Sequence, residues 1–181
     1  MSSTGERAKW LERHRGVVRE VHPDQADAQV KLQLAERNLG RARSNAEADP
    51  DLALVAAESA LVNLADAVLA AEGLRVRGKT GSHEARFSYP GLPRGFREHS
   101  AVIAAARKGR NTALYDTAGT VSPSFVHEVT RLVSALLEQV RGRDRALSSR
   151  RNPMAASLRA RSPEGRFPDA RSWSVRRVIH S

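Results

Sequence analysis

The chain has 181 residues, of which 40% are apolar and only 4% aromatic, and it contains no cysteine. This length fits one domain with some additional chain, and the shortage of aromatic residues disfavours a β-sandwich or barrel. Without cysteine, disulfides, zinc–thiolate sites and a thiol nucleophile are excluded. The formal net charge is +10, but residues 1–140 carry 19 Lys and Arg against 17 acids, whereas residues 141–181 carry 11 against 3.

Three features predict a cytoplasmic protein without a membrane partner. We identify no apolar run of the length that a bilayer requires. Charges are scattered through Met1–Arg19, where a secretory signal would have an apolar block. The absence of cysteine is consistent with a reducing compartment.

Apolar residues at steps of three and four predict helices along most of the chain. We expect an all-α, antiparallel bundle of four to five helices and no sheet. The predicted helices are, in chain order, Gly5–Val21, Asp24–Ala46, Asp51–Glu72, Arg94–Asp116 and a helix that Ser122-Pro123 opens and that ends near Arg145. The third is apolar over so wide an arc that we place it at the centre. Leu74–Pro93, rich in Gly, Pro and Ser, is predicted to be a long loop.

The organisation predicted from these elements has three parts. Residues 1–22 form an N-terminal helical extension, residues 23–145 the bundle, and residues 146–181 a disordered basic C-terminal tail that is rich in Arg. The tail has two open interpretations: a solvated extension, or a nucleic-acid-binding segment in which Trp173 stacks on a base.

Gly73–Thr80 reads G-L-R-V-R-G-K-T and fits the pattern of a phosphate-binding loop. Such a loop follows a buried strand and opens a helix, whereas this segment follows a predicted helix. We therefore interpret it as a helix stop followed by a basic loop, and we predict no cofactor. No His-Glu-x-x-His run or other metal set is present, so we predict no metal site.

The segment Arg107–Asp116 reads R-K-G-R-N-T-A-L-Y-D. It is either a basic helix end that favours the negative pole of the helix dipole or a functional site. Arg110, Asn111 and Tyr115 gather hydrogen-bonding groups where a helix should pack, and Gly109 allows close approach of the backbone.

The order of these elements resembles the HEPN superfamily, and most of all its small stand-alone branch with an Arg-Asn-x-x-x-Tyr motif. The likeness covers about Asp24–Val140. It includes the Gly-Leu-Arg stop, a loop with Gly-Ser-His, and the Arg110-Asn111 pair. Tyr115 stands where the superfamily motif has His.

The resemblance implies a homodimer whose cleft holds two copies of the motif and cuts RNA without a metal. It implies catalytic roles for Arg110, Asn111 and Tyr115, with Arg110 stabilising charge on the phosphate. Arg107, Lys108 and His83 are the expected nucleic-acid or phosphate ligands. It also implies an antitoxin or nucleotidyltransferase partner.

Two functions follow. The first is a dimeric RNA-directed protein, either a metal-independent endoribonuclease or a toxin–antitoxin component. The second is a non-catalytic helical module that binds a nucleotide or a protein partner. A phenol with a pKa near 10 is a poor base at neutral pH, so Tyr115 favours binding over efficient cleavage.

Overall fold

The computed structural model describes residues 3–78, 80–115 and 119–151, with side chains from residue 4 to residue 143 of these ranges. Over these residues the chain is an all-α helical bundle with one two-stranded sheet. In chain order its elements are α1 (Ser3–His14), β1 (Val18–Glu20), α2 (Gln25–Asn45), α3 (Pro50–Ala71), β2 (Leu74–Val76), α4 (Ser82–Phe87), α5 (Arg94–Glu98), α6 (Ser100–Tyr115) and α7 (Pro123–Arg151). The bundle predicted from the sequence is confirmed, and its five longer helices correspond to the five predicted ones.

Side-chain caps fix where the two central helices begin. The Asp24 carboxylate accepts a hydrogen bond of 2.9 Å from the backbone N–H of Asp27, and Asp49 accepts one of 2.9 Å from Leu52. Each bond satisfies one of the amides that a helix leaves unpaired at its start. Pro50 occupies the first turn of α3, where its missing N–H costs nothing.

Helix α3 is the centre of the bundle. It packs along α2 and also contacts α6 and α4. Twelve of its residues are buried, and all but one of these are Ala, Leu or Val. Within the described residues α3 is also long and apolar enough to cross a membrane by length and composition, so the expectation of no such run was wrong. In its most apolar stretch, 61% is buried inside the protein, as in the core helix of a bundle.

The prediction that the chain has no sheet was wrong. Strands β1 and β2 pair antiparallel, with Val18 opposite Val76 and Glu20 opposite Leu74. The predicted first helix therefore ends at His14 instead of continuing to Val21. The connection after α3 depends on Gly73, whose φ is +73° and where a Cβ would lie 2.5 Å from the Val21 carbonyl oxygen.

The N-terminal segment is packed on the bundle. Trp10 is 4% exposed, its Nε1–H donates a 3.1 Å hydrogen bond to Ser88, and its ring lies 4.7 Å from that of Tyr89. The described residues up to residue 144 form one compact unit. The described part of the predicted extension, residues 1–22, lies within this unit.

Two further expectations need correction. Leu74–Pro93 is not a structureless loop, because β2 and the six-residue helix α4 lie within it. The predicted helix Arg94–Asp116 is interrupted at His99, which separates α5 from α6. Gly95 of α5 permits close packing against α7, since a Cβ on it would lie 2.8 Å from Leu136. The predicted disordered tail lies outside the described residues, apart from the last turns of α7.

Candidate functional site

A polar groove of about 430 Å³ lies between α3, α4 and α6. It brings together four of the six residues predicted as a site from the sequence. Its lining consists of Glu58, Ser59, Val62, Asn63, Ser82, His83, Arg86, Arg107, Arg110 and Asn111. A neighbouring concavity of about 440 Å³ shares His83, Arg107 and Asn111 with it and adds a fifth predicted residue, Lys108. We call these two together the basic groove.

A buried carboxylate forms one wall of the basic groove. Glu58 is 6% exposed, its Oε2 lies 3.4 Å from Arg110 Nε, and its Oε1 lies 3.7 Å from His83 Nδ1. Burial raises the pKa of Glu58, and the positive charges of Arg110, Arg107 and Arg86 oppose that rise. Through these two contacts the Glu58 carboxylate of α3 connects Arg110 of α6 with His83 of α4.

Arg110 is held against α3 but is incompletely paired. Its Nε–H is buried and has no hydrogen-bond partner among the described residues, although Glu58 is nearby. At the outer end of the guanidinium, Nη1 donates a 3.3 Å hydrogen bond to Asn111 Oδ1. The neighbouring Gly109 permits this position, because a Cβ there would lie 2.7 Å from Leu54 Cδ2.

His83 is the histidine of the basic groove. Its side chain is 16% exposed, and its ring lies 4.5 Å from the ring of Phe87. Burial, and then the charges of Arg107, Arg86 and Arg110, lower the pKa of His83 to about 4. At neutral pH the imidazole is therefore uncharged. One of its ring nitrogens carries a proton and donates a hydrogen bond, and the other accepts one.

The arginines of the groove differ in how they are engaged. Arg86 Nε donates a 2.6 Å hydrogen bond to Asp66, and Arg86 Nη1 donates one of 3.3 Å to the Ser82 carbonyl. Arg107 is exposed and makes no ion pair or hydrogen bond within the described part of the chain. Arg107 is consequently available to an external anion, as is the exposed Lys108.

Tyr115 does not join these residues. It is 76% exposed at the last position of α6 and lines neither part of the basic groove. The geometry within one chain therefore unites Arg107, Lys108, Arg110 and Asn111 with His83 and leaves the phenol outside.

The sequence analysis missed two charged residues of the groove, Glu58 and Arg86. The signal for Glu58 was present: a carboxylate between Leu54 and Leu61 lies on the apolar stripe of the core helix, and charged residues are rarely buried there without a partner. No comparable signal marked Arg86. Among the described residues no group of three His, Asp or Glu is placed to hold a metal.

The phosphate-loop pattern at Gly73–Thr80 does not form a phosphate cradle in its described residues. It follows helix α3 directly, and β2 lies inside it. The Arg77 N–H donates a 2.8 Å hydrogen bond to the Val17 carbonyl, so that amide is used by the sheet. Lys79 lies outside the described residues.

Comparison with known proteins gives no relative for this chain: no family model, no curated protein and no solved structure matches it.

Proposed function

We propose that the basic groove binds phosphate groups of RNA, and that the chain acts on RNA as a HEPN-type dimer. The observation that carries this proposal is the state of the two arginines on α6. Arg107 is exposed and unpaired within the described residues, and Arg110 has a buried Nε–H without a hydrogen bond. A phosphate oxygen is the partner that a guanidinium binds best, because it accepts two parallel hydrogen bonds.

The charges of the groove favour an anion. Glu58 offsets one of its three arginines, and Asp66 pairs with Arg86, so Arg107 remains uncompensated and Lys108 adds a further positive charge. His83 contributes no charge at neutral pH and presents a polar ring beside these cations. Asn111 supplies an amide that can donate to a second oxygen.

The proposed reaction is metal-independent cleavage. The ribose 2′-hydroxyl would attack the adjacent phosphorus, its proton passing to a base, while the P–O5′ bond breaks and the 5′ oxygen takes a proton. The products are a 2′,3′-cyclic phosphate and a 5′-hydroxyl. Arg110 and Arg107 would stabilise the added negative charge on the phosphate. His83, uncharged at neutral pH, is a proton acceptor that lines the groove, but its pKa of about 4 makes it a weak base.

A dimer would bring in Tyr115. This residue and the adjacent Leu114, 46% exposed, lie at the end of α6, and pairing two copies there would cover Leu114 and add a phenol O–H to the partner's groove. A toxin–antitoxin role, with an antitoxin masking this end of α6, belongs to the same proposal.

The experiment compares three variants on a fluorescent single-stranded RNA in the presence of a chelator. Arg107→Ala should weaken RNA binding at least tenfold. Arg110→Ala should slow the formation of cyclic phosphate ends about a hundredfold to a thousandfold. Arg131→Ala, which removes an exposed arginine from α7, is the matched control for general charge. Equal affinities of Arg107→Ala and Arg131→Ala for RNA would refute the proposal that the basic groove binds RNA.

A second function, a non-catalytic module for a nucleotide or protein partner, is favoured by Tyr115 lying outside the groove. Tyr115→His discriminates the two. A histidine with a pKa near 7 should raise the rate of cleavage if the end of α6 reaches bound RNA in a dimer. If wild type and Tyr115→His both leave RNA intact while binding depends on Arg107, the non-catalytic function is supported.

A further inference from the structure

A second pocket, of about 430 Å³, adjoins the basic groove. It lies between α4, α5 and the first turns of α6, and its wall is mainly apolar. Phe87, Phe96, Ile103 and Ala104 contribute to it, and its polar lining includes His83, Glu84 and Arg97. Both the size and the apolar wall with a few polar groups are typical of small-molecule sites, which measure roughly 300–1,000 Å³.

The pocket and the basic groove share residues. His83 lines the pocket and both parts of the groove, and Ala104 lines the pocket and the part that contains Lys108. A ligand that fills the pocket would therefore extend past His83 into the groove.

Helix α6 explains why the two sites meet. Residues 100, 103, 104, 107, 108 and 111 follow one another at steps of three, one, three, one and three, and so lie on one face of the helix. This face is apolar at Ile103 and Ala104 and basic from Arg107 onward. With 1.5 Å of rise per residue, Arg107 stands about 4.5 Å along the axis from Ala104. The change from apolar to cationic thus takes place within one helical turn, the scale of a single nucleotide.

We propose that this pocket holds a nucleobase whose own phosphate lies in the basic groove, so that the site recognises one nucleoside monophosphate unit. The inference rests on the proposed function and names the chemical unit that the site binds. An uncharged planar base suits this wall, because Phe87 is partly exposed and Ala104 is exposed, and every base has a face that stacks on apolar and aromatic side chains. The cations beside the pocket argue against a purely apolar occupant, such as a hydrophobic helix of another protein.

Isothermal titration of the full chain tests the pocket with three probes: inorganic phosphate, ribose 5-phosphate and adenosine 5′-monophosphate. We expect adenosine 5′-monophosphate to bind at least tenfold more tightly than ribose 5-phosphate. Ala104→Leu fills the pocket from an exposed position and should reduce the affinity for adenosine 5′-monophosphate to that for ribose 5-phosphate in the same variant. Ala105→Leu, at the next exposed position of α6, is the matched control and should retain the difference between the two ligands.

The outcomes separate the pocket from the groove. Equal affinities for the two phosphate esters, both lost in Arg107→Ala, would overturn the nucleobase pocket and leave the groove in place. A nucleobase advantage that Ala104→Leu leaves intact would also overturn the pocket. No binding of any probe or of RNA would refute both. If a single-stranded hexanucleotide binds more tightly than adenosine 5′-monophosphate, and Ala104→Leu weakens the binding of both equally, RNA is the source of the base. If adenosine 5′-monophosphate binds more tightly than the hexanucleotide, the ligand is a free nucleotide.

Discussion

Gly109 offers a direct test of how closely α6 approaches α3 beneath the candidate site. A methyl group there would lie 2.7 Å from Leu54 Cδ2, and Leu54 is fully buried, so its side chain has little room to move. Overpacking of this kind costs about 1–3 kcal/mol. Replacing glycine by alanine within a helix contributes about 1 kcal/mol in the opposite sense. We expect Gly109→Ala to lower the free energy of unfolding by between about 0 and 2 kcal/mol.

Gly40→Ala is the matched control. Gly40 lies in α2, and nothing stands within 4 Å of the Cβ that alanine would add, so this variant should raise the free energy of unfolding by about 0.5–1 kcal/mol. Urea unfolding measures both. The cost of Gly109→Ala should shrink in a Leu54→Val background, which lacks Cδ2. Equal stabilisation by Gly109→Ala and Gly40→Ala would refute the close packing.

Three further predictions concern the groove and the N-terminal segment. Glu58→Gln should increase the affinity for inorganic phosphate several-fold, because it removes the carboxylate beside Arg110; a lower affinity in the titration would contradict the assigned electrostatics. His83 binds a proton less readily in the folded protein, with a pKa of about 4, than in the unfolded chain, with 6.5, so its stabilising effect is complete above pH 6.5 and is lost as the pH falls toward 4. Wild type should accordingly lose about 2 kcal/mol more than His83→Gln between pH 7 and pH 4.5, and equal losses in urea unfolding would show that His83 is not shielded. Trp10→Ala should reduce the free energy of unfolding by about 3–5 kcal/mol, since Trp10 is 4% exposed; a change under 1 kcal/mol would mean that α1 is dispensable to the bundle.

Features that depend on local chemistry were predictable from the sequence. The starts of the second and third helices near Asp24 and Asp51, and the apolar stripe of α3, depend on neighbours within four residues. A polar site on α6 was recognisable because Arg110, Asn111 and Tyr115 stand where a helix should pack, although only the first two line the groove. The likeness to the HEPN superfamily stays a prediction, since nothing in the fold is specific to that family.

Features that depend on distant pairing were decided by the tertiary structure. Val18 and Val76 are far apart in the chain, and each strand has only three residues, too few for a period-two pattern to emerge. The α4 helix is six residues long and lies in a segment whose glycines and prolines indicate a loop. Its formation depends on packing against α3 more than on the helix propensity of its residues.

The same reason separates the two halves of the candidate site. The sequence by itself determined which residues α6 presents, because a helix of known period places Arg107 and Asn111 on one face. It did not determine that Glu58 and His83 would meet them, or that Tyr115 would lie outside. Those outcomes depend on how three helices cross, which is set by the packing of many small side chains around α3 and by Gly109, and such non-local packing has no local sequence signature.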